Sequence, residues 1–160
     1  MKKYSIEIKW ALYFILMTLL WMLLEKLSGL HGRYIHLHMI LTNLIALPAI
    51  SLYVLALREK KLKFYNGEMN YKQSFVSGLI ITLIVTVFSP VTQLITTYVI
   101  TPEYFPNVIS YAVSIGYMGK EEAELYFSIN NYIIQGLIGA PVMGLVTTAI
   151  VSIFVRSRKK

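Results

Sequence analysis

Residues 73–102 run for about thirty positions without one charged side chain. At 1.5 Å per residue, a helix of that length exceeds the roughly 30 Å hydrocarbon core of a bilayer. Lipid offers backbone N–H and C=O groups no partner, so such a segment has to satisfy them internally, as a helix does. Wound at about 100° per residue, the run puts Gly78, Thr82, Thr86, Ser89, Pro90, Gln93, Thr96 and Thr97 on one face. Leu83, Ile84, Val87, Phe88, Val91, Leu94 and Ile95 cover much of the rest. A helix in lipid with a small, polar face is built to pack against other helices. The expectation is therefore an integral membrane protein with this helix at the centre of its bundle.

Composition supports that class. The 160 residues are 56% hydrophobic, with a mean hydropathy of +0.60, and the apolar residues come in blocks rather than short periodic runs. There is no Cys, which excludes disulfides, thiol catalysis and Cys-based zinc or iron–sulfur sites. All eight acidic residues are Glu, which removes the Asp-dependent metal and phosphoryl-transfer patterns.

Four spans are predicted, at about 6–28, 38–57, 74–100 and 131–155, forming one membrane domain over 1–160. The basic start followed by an apolar run has no small-x-small cleavage site, so it reads as an uncleaved first span. Its Lys9 and Lys26 are expected to snorkel to the interfaces. Pro48 should kink the second span, Pro90 the third and Pro141 the fourth. Asn66-Gly67 in the basic 58–72 link suggests a small hairpin with a type I′ turn. Thr101-Pro102-Glu103 reads as N-cap, first-turn proline and acidic first turn of a new helix reaching about residue 115, with Gly116 closing it. A second short helix follows over about 120–128. With six tyrosines between Tyr98 and Tyr132, this connection is predicted to be an extracytoplasmic amphipathic hairpin whose rings sit among headgroups. In the fourth span Gly136, Ala140, Gly144 and Thr148 recur every four residues, a ridge that admits another backbone.

Charge sets the orientation. The termini and the 58–72 link hold twelve Lys and Arg residues, and the other two connections hold three. In short loops that asymmetry places both termini in the cytoplasm. It also explains the net charge of +7 through topology and contact with anionic lipid, without nucleic acid.

All four spans then carry their most polar side chains toward the outer leaflet: Glu25 on the first, Asn43 on the second, Gln93 and Thr97 on the third, Asn131 and Gln135 on the fourth. One expectation is an outward-facing polar pocket with Glu25 as its membrane-level charge. The plainer one is that Glu25 pairs with Lys26 or Arg33 while the amides bond between helices. His31, His36 and His38 lie just above. Without Cys or Asp to complete a ligand set they are taken as solvated loop residues, and neither a metal nor a cofactor is expected. Gly78, Thr82, Thr86, Pro90, Gly136, Ala140 and Gly144 are assigned to helix packing.

Gly67-x-x-x-Tyr71-x-x-x-Phe75-x-x-Gly78, the Ser89-Pro90 span, Met118-x-x-Glu121-Glu122-Ala123-Glu124-x-Tyr126-Phe127 and the Gly-rich last span together resemble the small four-helix bacterial family called domain of unknown function 4199. The resemblance covers nearly the whole chain. It implies a bacterial inner-membrane protein and transfers no catalytic or binding residue. Two functions stay open: a non-enzymatic helix-packing module that assembles with itself or a membrane partner in the bilayer, or a small transporter or channel subunit using the polar pocket.

Overall fold

Blocks of apolar residues separated by charged or glycine-containing turns fold as long helices, because each block is too long for a buried strand and has no alternation. The computed structural model describes residues 3–157. Lys2, Arg158, Lys159 and Lys160, part of the charge asymmetry, lie outside them. Helices α1 (Ser5–Leu27), α2 (Ile35–Leu41), α3 (Ala46–Lys63), α4 (Tyr71–Ile95), α5 (Tyr104–Ser114), α6 (Lys120–Tyr126) and α7 (Ile129–Val155) follow in order. A 3₁₀ turn, Thr42–Ile45, joins α2 to α3, and a π turn, Thr96–Ile100, extends α4. Four stretches are long and apolar enough to cross a membrane: Ser5–Leu27, Ile35–Lys63, Tyr71–Ile100 and Ile129–Val155.

Pro48 disturbs the second stretch upstream of itself. A helical proline lacks its N–H and its ring presses on the carbonyl four residues back. That carbonyl belongs to Leu44, inside the 3₁₀ turn. Helix α4 starts at Tyr71, three residues earlier than expected, because Asn70 and Gln73 form a capping box: each side chain accepts from the other's backbone N–H at 2.9 Å.

The α3–α4 link is not a hairpin. Asn66 and Gly67 do adopt positive φ (50° and 90°), and the Glu68 N–H donates to the Tyr65 carbonyl, as a type I′ turn requires. Yet α3 continues to Lys63 and α4 begins at Tyr71, so no flanking residues remain to pair as strands. The link docks instead on the end of the chain. Ser157 donates its N–H to the Met69 carbonyl at 2.8 Å, and Met69 is fully buried.

Helices α4 and α7 form the closest-packed pair, antiparallel and side by side. A Cβ on Gly78 would overlap the Thr148 side chain, and one on Gly144 would overlap Thr82. Gly136 faces Ser89. Each glycine thus meets a small polar residue of the other helix, and four residues forward on one helix is four back on the other. Ser74 and Ser152 continue the register one turn further. Their hydroxyls and that of Thr148 are buried without a hydrogen-bond partner among the described residues, so here they fill space. The small faces therefore close one bundle from within.

At the end of the bundle that holds the start of α1 and the end of α7, Ala11, Tyr53, Ala56, Leu57, Met69, Ile81, Val151 and Val155 form the buried core. Below it Glu7 (1% exposed) pairs with Lys60 (3%) at 2.8 Å, and the Ser77 hydroxyl donates to Glu7. Lys9 pairs with Glu59, to which the Trp10 indole also donates. At the opposite end lie the α1–α2 turn and the α5–α6 hairpin.

Candidate polar site at the far end of the bundle

The site begins with a turn. Gly29, at φ 82°, lets the chain reverse after α1, and the Gly32 and Tyr34 N–H groups both donate to its carbonyl. This reversal brings His31 back under Glu25, six residues earlier. The Asn107 amide of α5 donates to the His31 carbonyl at 2.8 Å and ties the turn to the hairpin. Helix α2 then delivers His38.

Glu25 is 2% exposed. Its Oε1 accepts from the Trp21 indole one turn back on α1, at 2.6 Å. Its Oε2 faces the Nε2 atoms of two rings, His31 at 3.1 Å and His38 at 3.5 Å. The far side of each ring is also held. His31 Nδ1 lies 3.1 Å from the Thr101 hydroxyl, and His38 Nδ1 lies 3.5 Å from the Tyr104 hydroxyl. Tyr104 sits with its ring centroid 5.0 Å from both imidazoles, and its hydroxyl meets that of Tyr132 at 3.1 Å. Burial, then the neighbouring Tyr132, raises the Tyr104 pKa, so this hydroxyl stays protonated.

The π turn explains how Thr101 arrives. It inserts extra backbone after Ile95, and its last bond runs from the Thr101 N–H to the Thr96 carbonyl. Thr96, Thr97 and Thr101 are all buried against the site. With its hydroxyl at His31, Thr101 does not cap the next helix. Helix α5 begins only at Tyr104, preceded by Glu103 and without a side-chain cap. Gly116 (φ 68°) closes α5 as expected, in a Schellman motif, with Tyr117 bonding to Ala112 and Gly116 to Val113.

A cavity of about 320 Å³ opens over the cluster. His31, His38, Thr101, Tyr104, Gln93, Thr97, Tyr132 and Gln135 are among the residues that line it. Of the six residues expected to share a pocket, Gln93, Thr97 and Gln135 line it, and Glu25 lies behind its histidines. Asn43 is exposed and its amide is turned back on the Met39 and Ile40 carbonyls. Asn131 supports the start of α7, with its N–H on the Ser128 hydroxyl and its amide on the Tyr126 carbonyl. The expected partners of Glu25 are corrected too: among the described residues its carboxylate faces the imidazoles of His31 and His38, while Arg33 lies over the Tyr34 ring. Of the three histidines taken as solvated, only His36 is exposed.

Residues 9–157 match the family described as Protein of unknown function (DUF4199). The chain belongs to that family. No curated protein and no solved structure matches it. The family's description names no activity, so the site has to be read from its own chemistry.

Sequence reasoning missed Thr101 and Tyr104 as site residues, and the Glu7–Lys60 pair altogether. Thr101 was hidden by a convincing capping pattern, and Tyr104 by its place among six interfacial tyrosines. Glu7 carried a signal, a charge between the apolar Ile6 and Ile8, whereas Lys60 was hidden in the basic run that begins at Arg58.

Proposed function

We propose that this protein is a non-enzymatic membrane module that takes a small polar solute into the far-end cavity, as a binding or carrier subunit. It sits in a bacterial inner membrane with both termini cytoplasmic, so the cavity and the α5–α6 hairpin face outward. One observation carries the functional reading: a buried carboxylate stands behind two imidazoles that line a cavity also reached by Gln93, Thr97, Thr101 and Gln135. Buried ionisable groups within membrane-spanning helices are expensive and mark binding or transport sites. The excess of basic residues in the termini and the 58–72 link supports the orientation.

A catalytic reading is weaker. Thr101, His31 and Glu25 line up as hydroxyl, imidazole and carboxylate, but acyl transfer also needs N–H donors for an oxyanion. The Thr101 N–H is already spent on the Thr96 carbonyl at 2.8 Å. Assembly with a second copy or a membrane partner, the other function considered, has to use other surfaces, because Gly78, Thr82, Gly136 and Gly144 are covered within the chain.

The cysteine-free sequence makes the test direct. Gln93→Cys and Gln135→Cys, expressed in intact cells, should react with a membrane-impermeant maleimide added outside. Labelling only after permeabilisation would reverse the orientation. Labelling under neither condition, in protein that is folded and inserted, would mean the cavity is closed to water and would remove the binding reading.

A further inference from the structure

We infer that Glu25, His31 and His38 bind a divalent transition-metal ion of the zinc class. The inference deepens the pocket reading, on which it rests for the ion's route in and for its open coordination position.

Three observations converge. The first is spacing. One ligand atom from each residue lies within 4.8 Å of the others, and the two carboxylate-to-imidazole distances are 3.1 and 3.5 Å. Ligand atoms at about 2.0–2.1 Å from a tetrahedral zinc stand about 3.3–3.4 Å apart. The two carboxylate-to-imidazole distances bracket that spacing, and the ligand atoms of the two histidines lie within 4.8 Å of each other.

The second is how the ligands are held from behind. Metal-bound imidazoles nearly always have the other ring nitrogen fixed by a hydrogen-bond partner, and bound carboxylates are themselves hydrogen-bonded. Here the Thr101 hydroxyl stands behind His31, the Tyr104 hydroxyl behind His38 and the Trp21 indole on the second oxygen of Glu25. All three ligands are oriented by groups on other turns or helices, so the atoms left over point at one another.

The third is charge. Glu25 and His31 are almost wholly buried, and no Lys or Arg pairs with this carboxylate among the described residues. A buried carboxylate needs a compensating positive charge. A dication at the convergence point supplies it and releases any protons the imidazole Nε2 atoms carry. Two histidines and a glutamate also leave a fourth position free, as in zinc sites that bind an exchangeable water or ligand. His31 and His38 both line the cavity, which would give an exchangeable ligand its route to that position.

The test uses the full chain, free of any affinity tag, purified in mild detergent and stripped with a chelator. Titration with zinc chloride should reach one ion per chain, and cobalt chloride should develop the visible bands of a four- or five-coordinate ion. His31→Ala and His38→Ala should abolish the site, while His36→Ala, at an exposed position, should bind as the parent does. Thr101→Val keeps every ligand and should weaken binding by about 10–100-fold. Absence of saturable binding by the parent protein, an octahedral aqua-type cobalt spectrum, or equal weakening by His36→Ala and His38→Ala would each overturn the assignment. Maleimide labelling of Gln135→Cys separates the two proposals. A chain that labels from outside yet ignores zinc keeps the pocket and loses the metal. A chain that binds zinc without labelling loses the pocket.

Discussion

Glu7 and Lys60 carry full charges into the packed end of the bundle, where both are almost inaccessible. Each is compensated several times over. Lys60 reaches both Glu7 oxygens and the Lys3 carbonyl and lies over the Phe64 ring, and Glu7 also takes the Ser77 hydroxyl. Removing one member of such a pair costs more than removing both, because the survivor is left buried without a counter-charge. Glu7→Gln is expected to destabilise the protein by about 3–5 kcal/mol, and the double change Glu7→Leu with Lys60→Met to recover much of that. Thermal unfolding in one detergent measures both. A double variant as unstable as the sum of the two single ones would show that the pair does not act as a unit.

At the scale of the element, the α4–α7 seam is specified by alternation: glycine on one helix meets threonine on the other, in both directions. The helices approach closely because the glycines have no side chain and the threonines fill the space offered. Gly78→Ala and Gly144→Ala are each expected to cost about 1–3 kcal/mol through overpacking. Gly139→Ala lies on the same helix as Gly144 with nothing within 4 Å of the added carbon, and should be neutral. Equal losses at all three positions would mean that helix flexibility, not close approach, sets the requirement. The threonines were legible as a polar face in the sequence. Their partners were not, because a four-residue ridge looks the same whether it packs within a chain or between two copies.

At the scale of the whole molecule, the start of α1, the end of α7 and the α3–α4 link meet at one end, through Lys60 on the Lys3 carbonyl, Lys61 on the Val155 carbonyl and Ser157 on Met69. The α1–α2 turn and the α5–α6 hairpin meet at the other, through Asn107 on His31. Four crossings and the proposed orientation then assign opposite sides to two exposed positions, Glu68 and Tyr117. Tyr117→Cys should react with an impermeant thiol reagent in intact cells, and Glu68→Cys only after permeabilisation. The same response from both would contradict a four-crossing topology.

The sequence alone determined the features that depend on what lies near in the chain. Uncharged runs longer than a bilayer core, closing glycines such as Gly116, and the ordered family motifs gave the four long helices, the helical hairpin and the family itself. What it could not convey depends on neighbours far along the chain. Glu25 meets His31 only because Gly29 reverses the backbone. His38 joins them only because α2 starts where it does, and Thr101 arrives through a π turn with no evident local signature. The identity of Glu25's partners, the burial of two histidines and the internal closure of the glycine ridge were decided by tertiary packing. Side chains that are polar and isolated in the sequence acquire their chemistry only when packing brings others within hydrogen-bond distance and shuts most of the water out.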